Sequence, residues 1–287
     1  MLRPRSAGDP VIDLASNDYL GLARDPRVVE GAVEATRVWG AGATGSRVVT
    51  GSTELHSQLE AELAEFCGVA GALVFSSGYT ANLGALTALS GPGSLVVSDA
   101  ASHASLIDAC RLSRARIVVT PHAEVPAVEA ALAARSERRA LVVTDSVVSI
   151  DGDLAPLAEL HAVCRQYGAT LLVDEAHALG VRGPGGRGAL AERGLAGEPD
   201  VVITLSLSKA LGSQGGAVLG PPAVIDHLID TARSFIFDTA LAPPAAGAAL
   251  AALQVLRAEP TLPGRVLRAA AAIAAAIGAH PPASAVV

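Results

Sequence analysis

The stretch VVITLSLSKALGSQGGAVL (201–219) reads as two buried strands, 201–205 and 216–219, joined by a turn of Ser, Gly and a lysine. Both strands are short and uncharged, the first rich in β-branched residues, as expected of strands covered on both faces. The lysine stands out. Of the 21 basic residues in the 287-residue chain, 20 are Arg, and the one Lys is Lys209. Arg serves solubility and ion pairing as well as Lys does, but it stays protonated and cannot act as an amine nucleophile. A bias toward Arg explains why Lys is scarce and leaves the survivor unexplained. Lys209 is therefore a candidate for amine chemistry, against the plainer reading of one surface lysine kept by chance.

Outward from this stretch, similar runs recur at 72–75, 94–99, 116–120, 140–146 and 170–174. Between them, apolar residues fall at helical spacing, most clearly Leu55, Leu59, Leu63 and Phe66, and again Leu154, Leu157, Leu160 and Val163. A further helix is expected over 25–39. Alternation of strand and helix predicts an α/β fold: a mostly parallel, seven-stranded sheet sandwiched by helices, with ligands at the carboxyl ends of the strands. Past Gly220 the texture turns Ala-rich and Pro-punctuated. The expected organisation is an N-terminal segment (1–40), a large α/β domain (41–220), and the start of a small C-terminal domain (221–287). The last stops after Pro281-Pro282 without another strand signal and reads as incomplete.

Composition narrows the function classes. With 28 acidic residues against 21 basic ones and a net charge of −7, the chain is not expected to coat nucleic acid. Cys67, Cys110 and Cys164 lie 43 and 54 residues apart, neither a disulfide framework nor a zinc pattern, so no metal and a reducing, cytoplasmic compartment are expected. MLRPRSAGDP at the N-terminus lacks the apolar core of a signal peptide, and no apolar run approaches the ~20 residues that span a bilayer.

Two stretches match G-x-G-x-x-G, at Gly40, Gly42 and Gly45 and at Gly183, Gly185 and Gly188. The first follows a helix. The second contains Pro184 and has no clear helix start after it, so neither has the strand before and helix after that a dinucleotide site needs. The tetrapeptide Asp174-Glu175-Ala176-His177 resembles a helicase box, but the chain has no phosphate loop ending in Gly-Lys.

Taken together, the strand ends suggest one chemistry. The strand at 170–174 delivers Asp174 and then His177. The next delivers Ser206, Ser208 and Lys209, and an earlier one ends in Ser76-Ser77-Gly78-Tyr79. An Asp can keep a pyridine nitrogen protonated, a Lys can form a Schiff base with an aldehyde, and a Ser/Gly turn opening a helix can cradle a phosphate. Pyridoxal 5′-phosphate (PLP) needs all three. Singly, each has a plainer reading: Asp174 as a cap or salt-bridge partner, the Ser-Gly turn as a turn, His103 as a helix N-terminal residue.

These residues sit within SNDYLGL (16–22), GSRVVTGSTELHSQLE (45–60), FSSGYTAN (75–82), SDAASHASLIDA (98–109), DSVVSIDGDLAPL (145–157), VDEAHALGVRGPGGRG (173–188) and SLSKALGSQGG (206–216). In this order, over residues 12–257, the motifs resemble the α-oxoamine synthases, most of all the branch serving biotin synthesis. The resemblance implies a PLP-dependent transferase of fold type I, a homodimer with its sites at the subunit interface. It implies small-molecule substrates, an amino acid and an acyl thioester: L-alanine condensed with a pimeloyl group on CoA or a carrier protein, with loss of CO2 and the thiol. The alternatives are a glycine C-acyltransferase of the same family, using acetyl-CoA, and a shortened remnant that binds PLP without catalysis. By motif, Lys209 is the lysine that joins the cofactor, Asp174 the partner of the ring nitrogen, His177 that of the phenolic oxygen, and His103 the residue stacked on the ring. Ser77, Gly78 and Tyr79 form the cofactor-binding turn, with Ser149 near the cofactor and Thr239 reaching the phosphate from the neighbouring subunit. Ser206 stands where the family usually has Thr and offers the same hydroxyl. The family keeps an Arg for the amino-acid carboxylate in the C-terminal domain, much of which has no counterpart here.

Overall fold

The computed structural model describes residues 13–287, so the first twelve residues of the 1–40 segment, and the reading of the N-terminal sequence, lie outside the described residues. Helix α1 (Pro26–Trp39) starts at Asp25, whose side chain accepts the Arg27 N–H, with Pro26 in the first turn, where no amide hydrogen is needed. In α2 (Glu54–Cys67) the foreseen stripe Leu55, Leu59, Leu63 and Phe66 is buried, and Thr53 with His56 closes a capping box. Strands and helices then alternate: β1 (Gly71–Phe75), α3 (Gly78–Leu89), β2 (Ser94–Asp99), α4 (Ala104–Ser113), β3 (Arg116–Thr120), α5 (Val125–Ala133), β4 (Arg139–Asp145), α6 (Leu157–Tyr167) and β5 (Thr170–Asp174). A single helical turn, α7 (Ala189–Glu192), precedes β6 (Val201–Ser206) and β7 (Gly216–Gly220), and α8 (Pro222–Thr231), α9 (Arg233–Ile236), α10 (Pro243–Ala258) and α11 (Leu262–Ile277) complete the chain.

All seven expected strands form one sheet, in the order β1-β7-β6-β5-β4-β2-β3. β2 to β6 pair in parallel, and β7 runs antiparallel to both β1 and β6. Nine residues separate β6 from β7, too few for the crossover that a parallel return requires. Alternate side chains along each strand enter two separate cores. Ala72, Val74, Leu95 and Val97 meet α2, α5, α6 and α10 on one face. Leu73, Phe75 and Val96 meet α3, α4, α8 and α9 on the other.

Two local expectations change. Leu154 is not the first residue of a helical stripe; it pairs with Val147 in an isolated bridge, and α6 begins only after Pro156, whose ring disfavours helix in the residue before it. A helical turn does start directly after Gly188, but one turn long and without a strand ahead of the glycines, so the dinucleotide reading stays excluded. Packing is continuous across Gly220: α8 and α9 complete one core, and α10 lies in the other beside α2. Among the described residues no helix is long and apolar enough to cross a membrane.

Candidate active site

A cavity of about 240 Å3 opens at the carboxyl ends of β4, β5 and β6, and eight of the ten residues singled out from the sequence line it: Ser77, Gly78, Tyr79, His103, Asp174, His177, Ser206 and Lys209. The sheet explains why distant segments meet there. Gly216, the first residue of β7, is in register with Phe75 at the end of β1 and with Ser206 at the end of β6. A Cβ on Gly216 would lie 2.4 Å from the Gly78 nitrogen and 2.4 Å from the Ser77 carbonyl oxygen, so only glycine lets the turn that opens α3 rest on this strand. Ser77 caps α3, its Oγ accepting the Thr80 N–H at 3.1 Å, and the positive end of this twelve-residue helix faces the cavity. Beside it, Ser206 Oγ and Ser208 Oγ are 2.7 Å apart. Tyr79 is half-exposed, and its hydroxyl donates to Asp108 of α4 at 2.6 Å.

At the floor, Asp174 is buried and held by two donors: Ala176 N–H at Oδ1 (2.8 Å) and Asn82 Nδ2 at Oδ2 (2.7 Å). Asn82 also donates to Ser105 Oγ at 2.8 Å, and Ser105 Oγ lies 2.7 Å from His103 Nδ1. His103 is the N-cap of α4, so the plainer reading of this residue and its place at the cavity both hold. Its backbone N–H donates to Asp145 at 2.9 Å, and Asp145 is the register partner of Asp174. Burial, and next the Asp174 carboxylate, push the Asp145 carboxyl well above the usual range, which favours one negative charge on the pair. Burial pushes the Lys209 amine below its ordinary value against the pull of Asp174 and Asp145. His177 is held neutral, its pKa lowered to about 3 by burial and then by Lys209 and His103. Its Nδ1 lies 2.6 Å from the Tyr19 hydroxyl.

Two expected residues are not in this cavity. Ser149 lies four residues beyond the end of β4, in a turn, and Thr239 is exposed between α9 and α10. Conversely, Asn82, Ser105, Asp145 and Tyr19 belong to the assembly without having been singled out. Asn82 carried a signal: it lies four residues after Gly78, on the same face of α3. Glu175, the second residue of the supposed helicase box, faces away from this chemistry and accepts the Leu190 N–H at 2.8 Å, capping α7. Among the described residues one further cluster brings possible metal ligands within 4.8 Å: His161, Glu198 and Asp200. It sits at the opposite end of the sheet, where His161 bonds Asp200 at 3.0 Å and Arg165 lies 3.5 Å from Glu198, an ordinary ion-pair arrangement.

The donor set suits PLP: a helix N-terminus with adjacent hydroxyls for a phosphate, a carboxylate for a ring nitrogen, an amine for an aldehyde. One polar atom also lacks a partner. Asn82 Oδ1 is buried without a hydrogen bond in a residue that lines the cavity.

Comparisons with known proteins agree with this chemistry. Residues 9–279 match the family model described as aminotransferase class I and II. The chain is 70% identical over 275 residues to an 8-amino-7-oxononanoate synthase of Mycobacterium sp. (strain KMS), covering 96% of this chain and 72% of the relative. It is 69% identical over 277 residues to the enzyme of that name from Mycobacterium tuberculosis (strain ATCC 25177 / H37Ra), with the same coverage. Among solved structures it is similar to a serine palmitoyltransferase from S. paucimobilis with bound PLP and myriocin (TM-score 0.86, 35% identity, 92% of this chain and 67% of that one). It is also similar to the 8-amino-7-oxononanoate synthase of Francisella tularensis (TM-score 0.79, 29% identity, 94% of this chain and 77% of that one). Sheet, cavity and relatives lead to one conclusion: the chain belongs to the α-oxoamine synthases, enzymes of PLP fold type I that condense an amino acid with an acyl thioester.

Proposed function

We propose that this chain condenses L-alanine with a pimeloyl thioester, releasing CO2 and the thiol to give 8-amino-7-oxononanoate for biotin synthesis, in a reducing, cytoplasmic compartment. The observation that carries the chemistry is the convergence of Lys209, Asp174, His177 and His103, from three separate stretches of sequence, on one cavity. The choice of substrates is supported by the 70% identity to relatives of that name. When bound, PLP supplies an electrophilic aldehyde and an electron-accepting ring that stabilises negative charge at the Cα of an amino acid.

The residues divide the remaining work. The N-terminus of α3, with Ser77, Gly78 and Tyr79, and the hydroxyl of Ser206 hold the phosphate. Asp174, fixed in place by two donors, would hold a proton on the ring nitrogen, and His103 would pack against the ring. Lys209, its amine already destabilised as a cation by burial, takes the proton from Cα and returns one after condensation. His177 donates to the phenolic oxygen. Ser149, outside this cavity, would lie near the cofactor, and Thr239, exposed in its own chain, would reach the phosphate of a second copy in a homodimer.

The test is reconstitution with PLP, borohydride reduction and peptide mapping, followed by turnover with alanine or glycine against pimeloyl and acetyl thioesters. The expected result is a pyridoxyl group on Lys209 and turnover fastest with alanine and the pimeloyl group. A preference for glycine with acetyl-CoA overturns the substrate assignment. Failure to trap the cofactor on the single lysine overturns the chemistry itself.

A further inference from the structure

The motif SNDYLGL places Tyr19 against His177, and nothing in the proposed reaction yet uses it. Tyr19 is half-buried, fixed on its C-terminal side by Leu22, which is buried in the core, and by a tight turn in which Gly21 N–H bonds the Asp18 carbonyl at 2.9 Å. Its hydroxyl stands 2.6 Å from His177 Nδ1 and 3.1 Å from Asn17 Oδ1. We propose that Tyr19 fixes the tautomer of His177: the phenol donates to Nδ1, and the single ring proton therefore sits on Nε2, the nitrogen left to the cavity.

Between these two neutral groups only two arrangements exist. Either the phenol donates to the imidazole, or the imidazole donates from Nδ1 to the phenol and the phenol donates on to Asn17. The separation favours the first, because 2.6 Å is short for an N–H donor, whose usual distance is about 2.9–3.0 Å, and ordinary for an O–H donor. A phenol is also the stronger acid and the better donor of the two. The competing acceptor, Asn17, is exposed, so its bond to Tyr19 is shared with water, and its amide can turn to offer N–H to the phenolic oxygen instead. Both partners keep their protons near neutral pH. Burial raises the Tyr19 phenol to about 12, while His177 is uncharged down to about 3. The charged and titratable groups facing His177 from other elements, Lys209 and His103, both oppose a second ring proton.

The consequence is a donor rather than an acceptor in the cavity. With the proton on Nε2, His177 can hydrogen-bond an anionic ring oxygen; with the proton on Nδ1 it would present a lone pair and repel one. This inference rests on the reading of the cavity as a PLP site and adds the residue that prepares His177 for it. Tyr19 is thus a positioning residue, acting through His177.

The first experiment needs no cofactor. Long-range 1H–15N spectra of the 15N-histidine-labelled, cofactor-free chain read which nitrogen of His177 carries the proton. His177 is assigned by the resonance lost in His177→Gln or, if that variant does not fold, by contacts with the Tyr19 ring protons. The expected result is a proton on Nε2 and an Nδ1 resonance that moves in Tyr19→Phe toward that of an imidazole nitrogen without a donor. A proton on Nδ1, or an Nδ1 resonance indifferent to Tyr19→Phe, overturns the proposal. The second experiment is a double-mutant cycle on PLP affinity, read by fluorescence. Tyr19→Phe is expected to weaken binding about three- to tenfold in the native background and less than about twofold in His177→Gln. Equal losses in both backgrounds overturn it. Because the spectra stand without PLP, a failure of the cofactor reading and a failure of this proposal give different results.

Discussion

Glu175 lies next to Asp174 in sequence and does an entirely different job. It is buried, accepts the Leu190 N–H, and its carboxyl is raised from 4.5 to about 7, chiefly by burial. Because the folded value exceeds the unfolded one, the stability it contributes is complete below pH 4.5 and is lost as pH rises through 7. Between pH 5 and 8 the native chain should lose on the order of 3 kcal/mol relative to Glu175→Gln, whose amide can still accept the same bond. Urea unfolding of both proteins at the two pH values checks this, and parallel pH profiles would rule it out. The Asp174-Glu175-Ala176-His177 signature made the strand end legible in the sequence but did not divide the labour within it. That division depends on which way each side chain leaves the strand. The bond from Asn82 to Asp174 is hidden for a different reason: its partners are 92 residues apart and meet only because α3 packs at the end of the sheet.

At the scale of elements, α1 crosses α10 through glycine. A Cβ on Gly247 would lie 2.5 Å from the Gly31 carbonyl oxygen and 2.6 Å from Ala35 Cβ, and one on Gly31 would lie 2.7 Å from Ala251 Cβ. Two effects compete in Gly247→Ala. Helix propensity favours the variant by about 1 kcal/mol, whereas forcing apart two backbones in contact costs about 1–3 kcal/mol. Overlap with a carbonyl oxygen cannot be relieved by turning a side chain, so the crossing should decide the sign: Gly247→Ala is expected to melt below the native protein. A higher melting temperature would show that the helices separate freely. The strands were the most legible elements, because runs such as 94–99 and 170–174 are apolar and closed by turns. The placement of β1 at the sheet's edge, beside the last strand, was not legible, since no local pattern names a partner more than a hundred residues away. The change of texture at Gly220 marked a change in element type, while the cores on both faces continue through it.

For the whole molecule, the sheet divides the interior in two, and each half holds cysteine. Cys67 and Cys164 lie in one core and Cys110 in the other, all free and buried. Burial raises all three thiols above their ordinary value. A thiol-specific chromogenic reagent should therefore find almost no reactive group in the native protein and three in urea, with the reaction following global unfolding. Fast labelling of Cys110 alone would instead show that the face carrying α3, α4, α8 and α9 opens by itself. The solitary lysine has a wider consequence. A chain with a single ε-amine, housed in the cavity of the candidate site, has no second lysine to absorb acetylation, carbamylation or glycation. In this chain every ε-amine modification falls on Lys209 itself, so an amine-acylating reagent, read by peptide mapping apart from the α-amine, becomes a titrant of that one side chain.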